Sequence, residues 1–249
     1  MPRFFCPQPL AIGQIVSLPD AVAHHVQVLR LAQGDLVTLF NGEGGEYTAA
    51  LTELGRRSAS AEVRGHAPRE AELPFALTLV QGVPEGSKMD WIVEKAVELG
   101  VTAIVPLTAR RSVVRLSGER AEKRLAHWQG VVVSASEQCG RNRLATVAPV
   151  QEFNRWLAAP ANGARRILLS PRAQQSLAGW ARDTPPGPVE LLVGPEGGYS
   201  DEEEAAALAA GALPLSMGPR VLRTETAGLA ALAILAAALG RHVISAAPT

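Results

Sequence analysis

Two segments near the C-terminal end hold the residue types from which a small-molecule site is most readily built. One is Leu191-Leu-Val-Gly-Pro-Glu-Gly-Gly-Tyr-Ser200, and the other is Leu215-Ser-Met-Gly-Pro-Arg-Val-Leu-Arg-Thr-Glu-Thr-Ala227. Each reads as an apolar strand, then a loop holding Gly and Pro, then a helix. In open α/β sheets ligands bind beyond the carboxyl ends of strands, and glycines there let a ligand approach backbone N–H and C=O groups. Such loops suit an adenine or a small zwitterion. No Lys accompanies them, so a triphosphate fits less well. Arg220, Arg223 and Glu225 stand directly before a very apolar helix, where charges are costly unless paired or functional. They form either salt bridges at a helix start or part of a site. Gly194–Gly198 alone would serve equally as a tight turn before a capped helix.

The elements that position these loops follow from periodicity. Phe75–Gln81, Val101–Leu107, Arg166–Leu169, Val189–Val193 and Leu213–Ser216 are apolar runs of strand length. Helical patterns alternate with them. Ser87 and Asp90 resemble a capping box before Met89, Ile92, Val93, Ala96 and Val97. Ser117 precedes a helix carrying Ala121, Leu125, Trp128, Val132 and Ala135. Ser200 and Glu203 form a second capping box, and Gly240 closes the last helix. This alternation predicts an α/β domain with a largely parallel sheet. Ahead of it, Gln14–Leu18, Leu36–Phe40, Glu46–Leu51 and Ser58–Gly65 read as short strands, with Asn41-Gly42 as a hairpin turn and a helix capped by Asp20. They predict a small β-barrel over residues 1–70. Ala67-Pro-Arg-Glu-Ala-Glu-Leu-Pro74 is the linker, and the second domain runs over 74–249.

Composition narrows the function. The chain has 249 residues, 24 basic and 24 acidic, so no formal net charge. That excludes a strongly basic coat-type nucleic-acid binder but not a local patch. Between Val105 and Ala145 eight basic residues face three acidic ones, a plausible phosphate footprint. Arg110, Arg111, Arg141 and Arg143 fall in expected loops there, and Arg3 and Arg30 extend the set. Two cysteines argue against a disulfide scaffold and fit a reduced cytoplasm. No signal peptide is read at the N-terminus, and the longest apolar stretch, Ala227–Leu239, is too short to span a bilayer. The histidines show no metal-ligand spacing, so no metal and no membrane partner are expected. Trp91 and Trp128 read as core residues.

The two C-terminal segments closely resemble those of the bacterial 16S ribosomal RNA uracil N3-methyltransferases, a branch of the SPOUT methyltransferases. The family pattern is Gly-Pro-Glu-Gly-Gly followed by Leu-Gly-x-Arg-Val-Leu-Arg-x-Glu-Thr-Ala; here Gly194–Gly198 precedes Met217–Ala227. The resemblance extends to His25–Leu31, Lys88–Gly100, Arg111–Val114 and Ser136–Arg141, in the family's order. The stretch from Asn154 to Gln175 matches only loosely.

The resemblance implies a fold, a reaction and a site. The fold is a PUA-like β-barrel followed by a SPOUT-type, trefoil-knotted, parallel-sheet α/β domain. The reaction is methyl transfer from S-adenosyl-L-methionine to N3 of a uridine in 16S ribosomal RNA, within the small ribosomal subunit, by a cytoplasmic homodimer. The implied cofactor-binding residues are Leu169, Ser170, Pro171, Gly194, Glu196, Gly197, Gly198, Leu215, Ser216, Met217, Gly218, Val221, Leu222 and Ala227. N3 must lose a proton, which leaves negative charge on the base. Arg220 and Arg223 are candidates to stabilise that charge, and Glu225 would orient an Arg or accept a proton. The helix from Glu225 to Leu239 would form the dimer interface. The alternatives are a SPOUT methyltransferase for another ribosomal or transfer RNA nucleotide, and a catalytically silent RNA-binding assembly module.

Overall fold

The strand–helix alternation after Pro74 becomes a seven-stranded, wholly parallel sheet. The computed structural model describes residues 1–240, so the last nine residues of the expected second domain, 241–249, lie outside the described residues. Two compact units emerge. The first comprises Met1–Glu72 together with Val133–Leu144, and the second comprises Leu73–Val132 and the chain from Ala145 onward. The continuous domain expected over 74–249 is therefore interrupted. Residues 133–144 pack with the first unit through Arg141, Asn142 and Glu137, which bond to Glu72, Arg3 and the Phe5 backbone.

The first unit is built on a five-stranded mixed sheet. Its strands are β1 (Arg3–Phe5), β2 (Ile15–Ser17), β3 (Leu36–Phe40), β4 (Glu46–Leu54) and β5 (Ala59–Ala67), in the order β1-β3-β4-β5-β2. β1 runs parallel to β3 and the remaining pairs are antiparallel. Alternation puts Val37, Leu39, Ala49, Leu51, Ala61 and Val63 in one core. Helix α1 (Asp20–Val28) closes over it with Val22, Ala23 and Val26. Asp20 does not cap this helix; Pro19 holds the N-cap position and Asp20 begins the first turn, where the helix dipole favours its charge.

The second unit holds β6 (Leu77–Gly82), α2 (Lys88–Glu98), β7 (Ala103–Thr108), α3 (Gly118–Cys139, whose end belongs to the first unit), β8 (Thr146–Val147), β9 (Gln151–Glu152) and α4 (Phe153–Leu157). Then come β10 (Arg165–Leu169), α5 (Leu177–Asp183), β11 (Val189–Val193), α6 (Asp201–Ala209), β12 (Leu213–Leu215) and α7 (Thr224–Leu239). The sheet runs β12-β10-β11-β6-β7-β8, with β9 also paired to β7. Its central strands are near-continuous apolar runs because both faces are covered. Val80, Leu107, Leu168 and Leu192 pack with Phe153, Trp156 and Tyr199. α7 contributes Gly228, Ala231, Leu232, Leu235 and Leu239 to the interior, packing against α2, α5 and β11. A Cβ on Gly228 would lie 3.5 Å from Val193 and 3.6 Å from Leu79, so glycine lets this helix lie close to the sheet.

Two local expectations fail for identifiable reasons. Ser87 occupies the N-cap of α2 but makes no side-chain cap bond. The Asp90 carboxylate turns instead to Trp128 Nε1 and His127 Nε2, both at 3.0 Å. Trp91 is not core: it is half exposed, with the Lys95 ammonium 4.8 Å from its ring centroid. Trp128 is buried as expected. Among the described residues no helix is long and apolar enough to cross a membrane, and no cluster of three or more His, Cys, Asp or Glu is placed to hold a metal ion.

Candidate active site

The carboxyl ends of β6, β10, β11 and β12 all open into loops, and a cleft of about 490 Å³ is bounded by the loops after β10, β11 and β12 and by the start of α7. Pockets for small ligands span roughly 300–1,000 Å³. Leu169, Ser170, Pro171, Gly194, Glu196, Gly197, Gly198, Met217, Gly218, Val221, Leu222 and Ala227 line it, as do Arg220, Arg223 and Glu225. Leu215 and Ser216 do not. Leu215 is fully buried in the sheet, where its carbonyl accepts from Ser170 N–H. Ser216 exchanges backbone hydrogen bonds with Gln175 and Leu177 and accepts from Gly218 N–H through its hydroxyl. These two residues tie the wall loops together, which their position one residue from the cleft does not reveal in sequence.

Backbone approach shapes the cleft. The Thr224 hydroxyl donates to the Gly194 carbonyl at 2.6 Å and accepts from the buried Gln81 amide at 2.8 Å. This joins the start of α7, the loop after β11 and the central strand β6. A Cβ on Gly82 would lie 2.5 Å from both Cδ and N of Pro195, so glycine is what lets the Gly194-Pro195 backbone cross over β6. Gly198 and Gly218 adopt φ of +66° and +100° and have open space where a Cβ would project. Both conformations favour glycine.

The charge pattern differs from the sequence expectation at one point. The loops have a lysine after all: Lys88, from the first turn of α2, reaches Glu196 at 2.6 Å. Burial raises the Glu196 carboxyl, but bonds from Lys88 and from the Glu85 and Glu196 backbone outweigh this and hold it below the usual range. The Lys88 ammonium is held up mainly by that same bond to Glu196, with Glu225 adding attraction. Lys88 lies 108 residues from its partner, too far for any spacing rule to connect them. Arg220 and Arg223 are exposed at the rim. Among the described residues, Glu225 Oε2 is buried and has no hydrogen-bond partner.

A second network braces the loop after β11 from below. Ser200 and Glu203 form the expected capping box of α6. The other Glu203 oxygen accepts from Arg110 N–H at 2.8 Å. Arg111 donates to the Tyr199 carbonyl at 3.1 Å, and its Cβ lies 3.0 Å from where a Cβ on Gly197 would stand. Burial pushes the Tyr199 phenol far up, so it remains a donor to the Val193 carbonyl at 3.1 Å.

Comparison with known proteins decides the family. A family model described as an RNA methyltransferase domain matches residues 71–236, and one described as an RNA methyltransferase PUA domain matches residues 18–64. The chain belongs to this family of RNA methyltransferases. It is 34% identical to the ribosomal RNA small subunit methyltransferase E of Synechocystis sp. over 92% of this chain and 75% of the relative. It is 30% identical to that of Bacillus subtilis over 87% of each. Among solved structures it resembles the Neisseria gonorrhoeae methyltransferase E bound to S-adenosyl methionine, with a TM-score of 0.89 and 40% identity over 97% of this chain and 99% of that one.

For this RNA methyltransferase the structure sorts the basic residues expected at RNA. In the first unit Arg30 and Arg143 are exposed. Arg143 lies 3.5 Å from Glu70, and Arg30 has a φ of 55°. Arg141 is buried, with its Nε donating to Glu72 at 3.0 Å and its Nη2 to the other carboxylate oxygen. Arg3 is largely covered, bonded to Glu46, Asn142 and the Arg141 carbonyl. These two are corrections: the expected loop residues are internal ties, because Glu72 and Glu46 meet them at positions remote in sequence. In the second unit Arg110 and Arg111 are both exposed. Arg110 pairs with Glu202 at 3.2 Å, and Arg111 spends its guanidinium on the loop after β11.

Proposed function

We propose that this chain transfers a methyl group from S-adenosyl-L-methionine to N3 of a uridine in 16S ribosomal RNA, with the small ribosomal subunit as its substrate. The observation that carries this reading is the glycine-lined cleft at the carboxyl ends of parallel strands, with two arginines at its rim. The cofactor supplies an electrophilic methyl group when bound. Its adenosine part suits the Gly194–Gly198 and Met217–Leu222 backbone and the apolar Leu169, Val193 and Ala227 side chains. No metal takes part in this reading.

The remaining chemistry falls to the chain's own residues. N3 lies on the Watson–Crick edge, so the base must be unpaired or extruded to reach the cleft. Loss of the N3 proton spreads negative charge onto the base carbonyls. Arg220 and Arg223, exposed at the rim, stabilise that charge electrostatically. The loop braces through Thr224, Gly82 and Arg111 hold the reactants in register, and alignment is the main service a protein renders to a cofactor reaction. Arg30 and Arg143 contact phosphate from the first unit, and Arg110 does so from the second.

The working form is a cytoplasmic homodimer joined through α7, whose Thr226, Ala233 and Ala237 are small and exposed. The C-terminal loops form a trefoil knot, a reading supported by the Ser170–Leu215 and Gln175–Ser216 backbone bonds between the loop after β10 and the end of β12. Incubation with cofactor labelled in the methyl group and with small subunits from cells lacking this activity tests the reading. Label in the ribosomal RNA is the expected result. Label absent from the RNA, with cofactor binding measured on the same sample, overturns it.

A further inference from the structure

The cleft holds two carboxylates with different surroundings. Glu196 Oε1 accepts from Lys88 Nζ at 2.6 Å and from Glu85 N–H at 3.0 Å. Glu225, in the first turn of α7, has Oε2 buried without a hydrogen-bond partner among the described residues. The other charged side chains lining the cleft are Lys88, committed to Glu196, and the exposed Arg220 and Arg223. A buried carboxylate oxygen without a donor is costly. Apolar neighbours such as Val193 and Ala227 strengthen any charge it meets, because water screens it little there.

We infer that Glu225 is the anionic contact for the cationic methionine portion of the cofactor, and that it makes the cleft selective for a positively charged ligand. The inference rests on the cofactor reading above. Two groups of that portion carry positive charge, the sulfonium and the α-ammonium. Methyl transfer removes the sulfonium charge and leaves a neutral thioether. Pairing with the sulfonium would therefore also weaken the hold on the product. This role differs from orienting an arginine or accepting the base proton. It requires only that Glu225 face the ligand, which its place on the cleft wall provides.

Calorimetric titration of the full chain and its Glu225→Gln variant tests this with three ligands. S-adenosyl-L-methionine carries both charges, S-adenosylhomocysteine only the ammonium, and 5′-methylthioadenosine neither. The variant should bind S-adenosyl-L-methionine about tenfold or more weakly, as expected for loss of a hydrogen bond between charged groups, and 5′-methylthioadenosine unchanged. If S-adenosylhomocysteine weakens equally, the ammonium is the partner; if it does not, the sulfonium is. Unchanged S-adenosyl-L-methionine affinity overturns the inference. So does an equal loss for 5′-methylthioadenosine, which marks a packing role instead. If the unsubstituted protein binds none of the three, the cofactor reading itself fails.

Discussion

The Thr224 hydroxyl bridges two backbone and side-chain groups that are 143 and 30 residues away in sequence, accepting from Gln81 and donating to Gly194 at 2.6 Å. Three pieces of the cleft thus share one oxygen. Thr224→Val keeps the branched shape and removes that oxygen. It leaves the Gly194 carbonyl and the buried Gln81 amide without it, so unfolding free energy should fall by about 1–3 kcal/mol. Cofactor affinity should fall with it, and Thr224→Ser should restore both. Denaturant titration and calorimetry on the two variants check this.

Gly82→Ala should act on the same loop from the strand side. The added Cβ would meet Pro195 backbone and ring atoms at 2.5 Å, and backbone cannot swing aside as a flexible side chain can. The expected outcome is a large loss of cofactor binding. The variant's circular dichroism should stay native because the strand itself tolerates alanine. Wild-type cofactor affinity in Gly82→Ala would show that the crossing is not needed.

The Lys88–Glu196 pair should make stability depend on pH in a defined way. Glu196 lies lower in the folded chain than its ordinary value of 4.5, so its contribution is complete above that value and is lost as pH falls through the folded one. Lys88 lies above its ordinary 10.5, so its contribution is complete below that and is lost as pH rises through the folded value. The stability difference between the unsubstituted protein and Glu196→Gln should therefore be flat between those limits and shrink outside them. Unfolding titrations from pH 3 to pH 8, roughly spanning the acid limb, measure this.

Arg141 should behave as a structural residue, not as an RNA contact. Its buried fork holds both oxygens of Glu72. Arg141→Ala strands that carboxylate and should cost about 3–5 kcal/mol. Arg141→Lys should not rescue it, because an ammonium cannot reproduce a two-point contact. Arg143→Ala, at an exposed position, should leave stability near normal and weaken RNA binding. Thermal unfolding and RNA binding, measured on each variant, separate the two roles.

The parallel sheet and both C-terminal loops were legible because their signals are local. Val189–Val193 and Leu36–Phe40 have the boundaries that apolar runs predict, and the Ser200–Glu203 box forms as its spacing requires. The contacts made at long range were not legible. Lys88 reaches Glu196 and Arg141 reaches Glu72 across 108 and 69 residues, and nothing in either neighbourhood marks the partner. Asp90 had a cap signature, but Trp128 and His127 offered its carboxylate other partners. Strand β1 escaped notice because three residues carry too little periodicity, although β3 pairs with it.

The central claim is the atom that receives the methyl group. Small subunits from cells lacking the modification, incubated with this protein and S-adenosyl-L-methionine, can be digested and their nucleosides separated by mass spectrometry. The account predicts 3-methyluridine as the product, formed much more slowly by Arg220→Ala and Arg223→Ala variants that still bind cofactor. A methyl group on any other nucleoside, or at another atom of uridine, would contradict it.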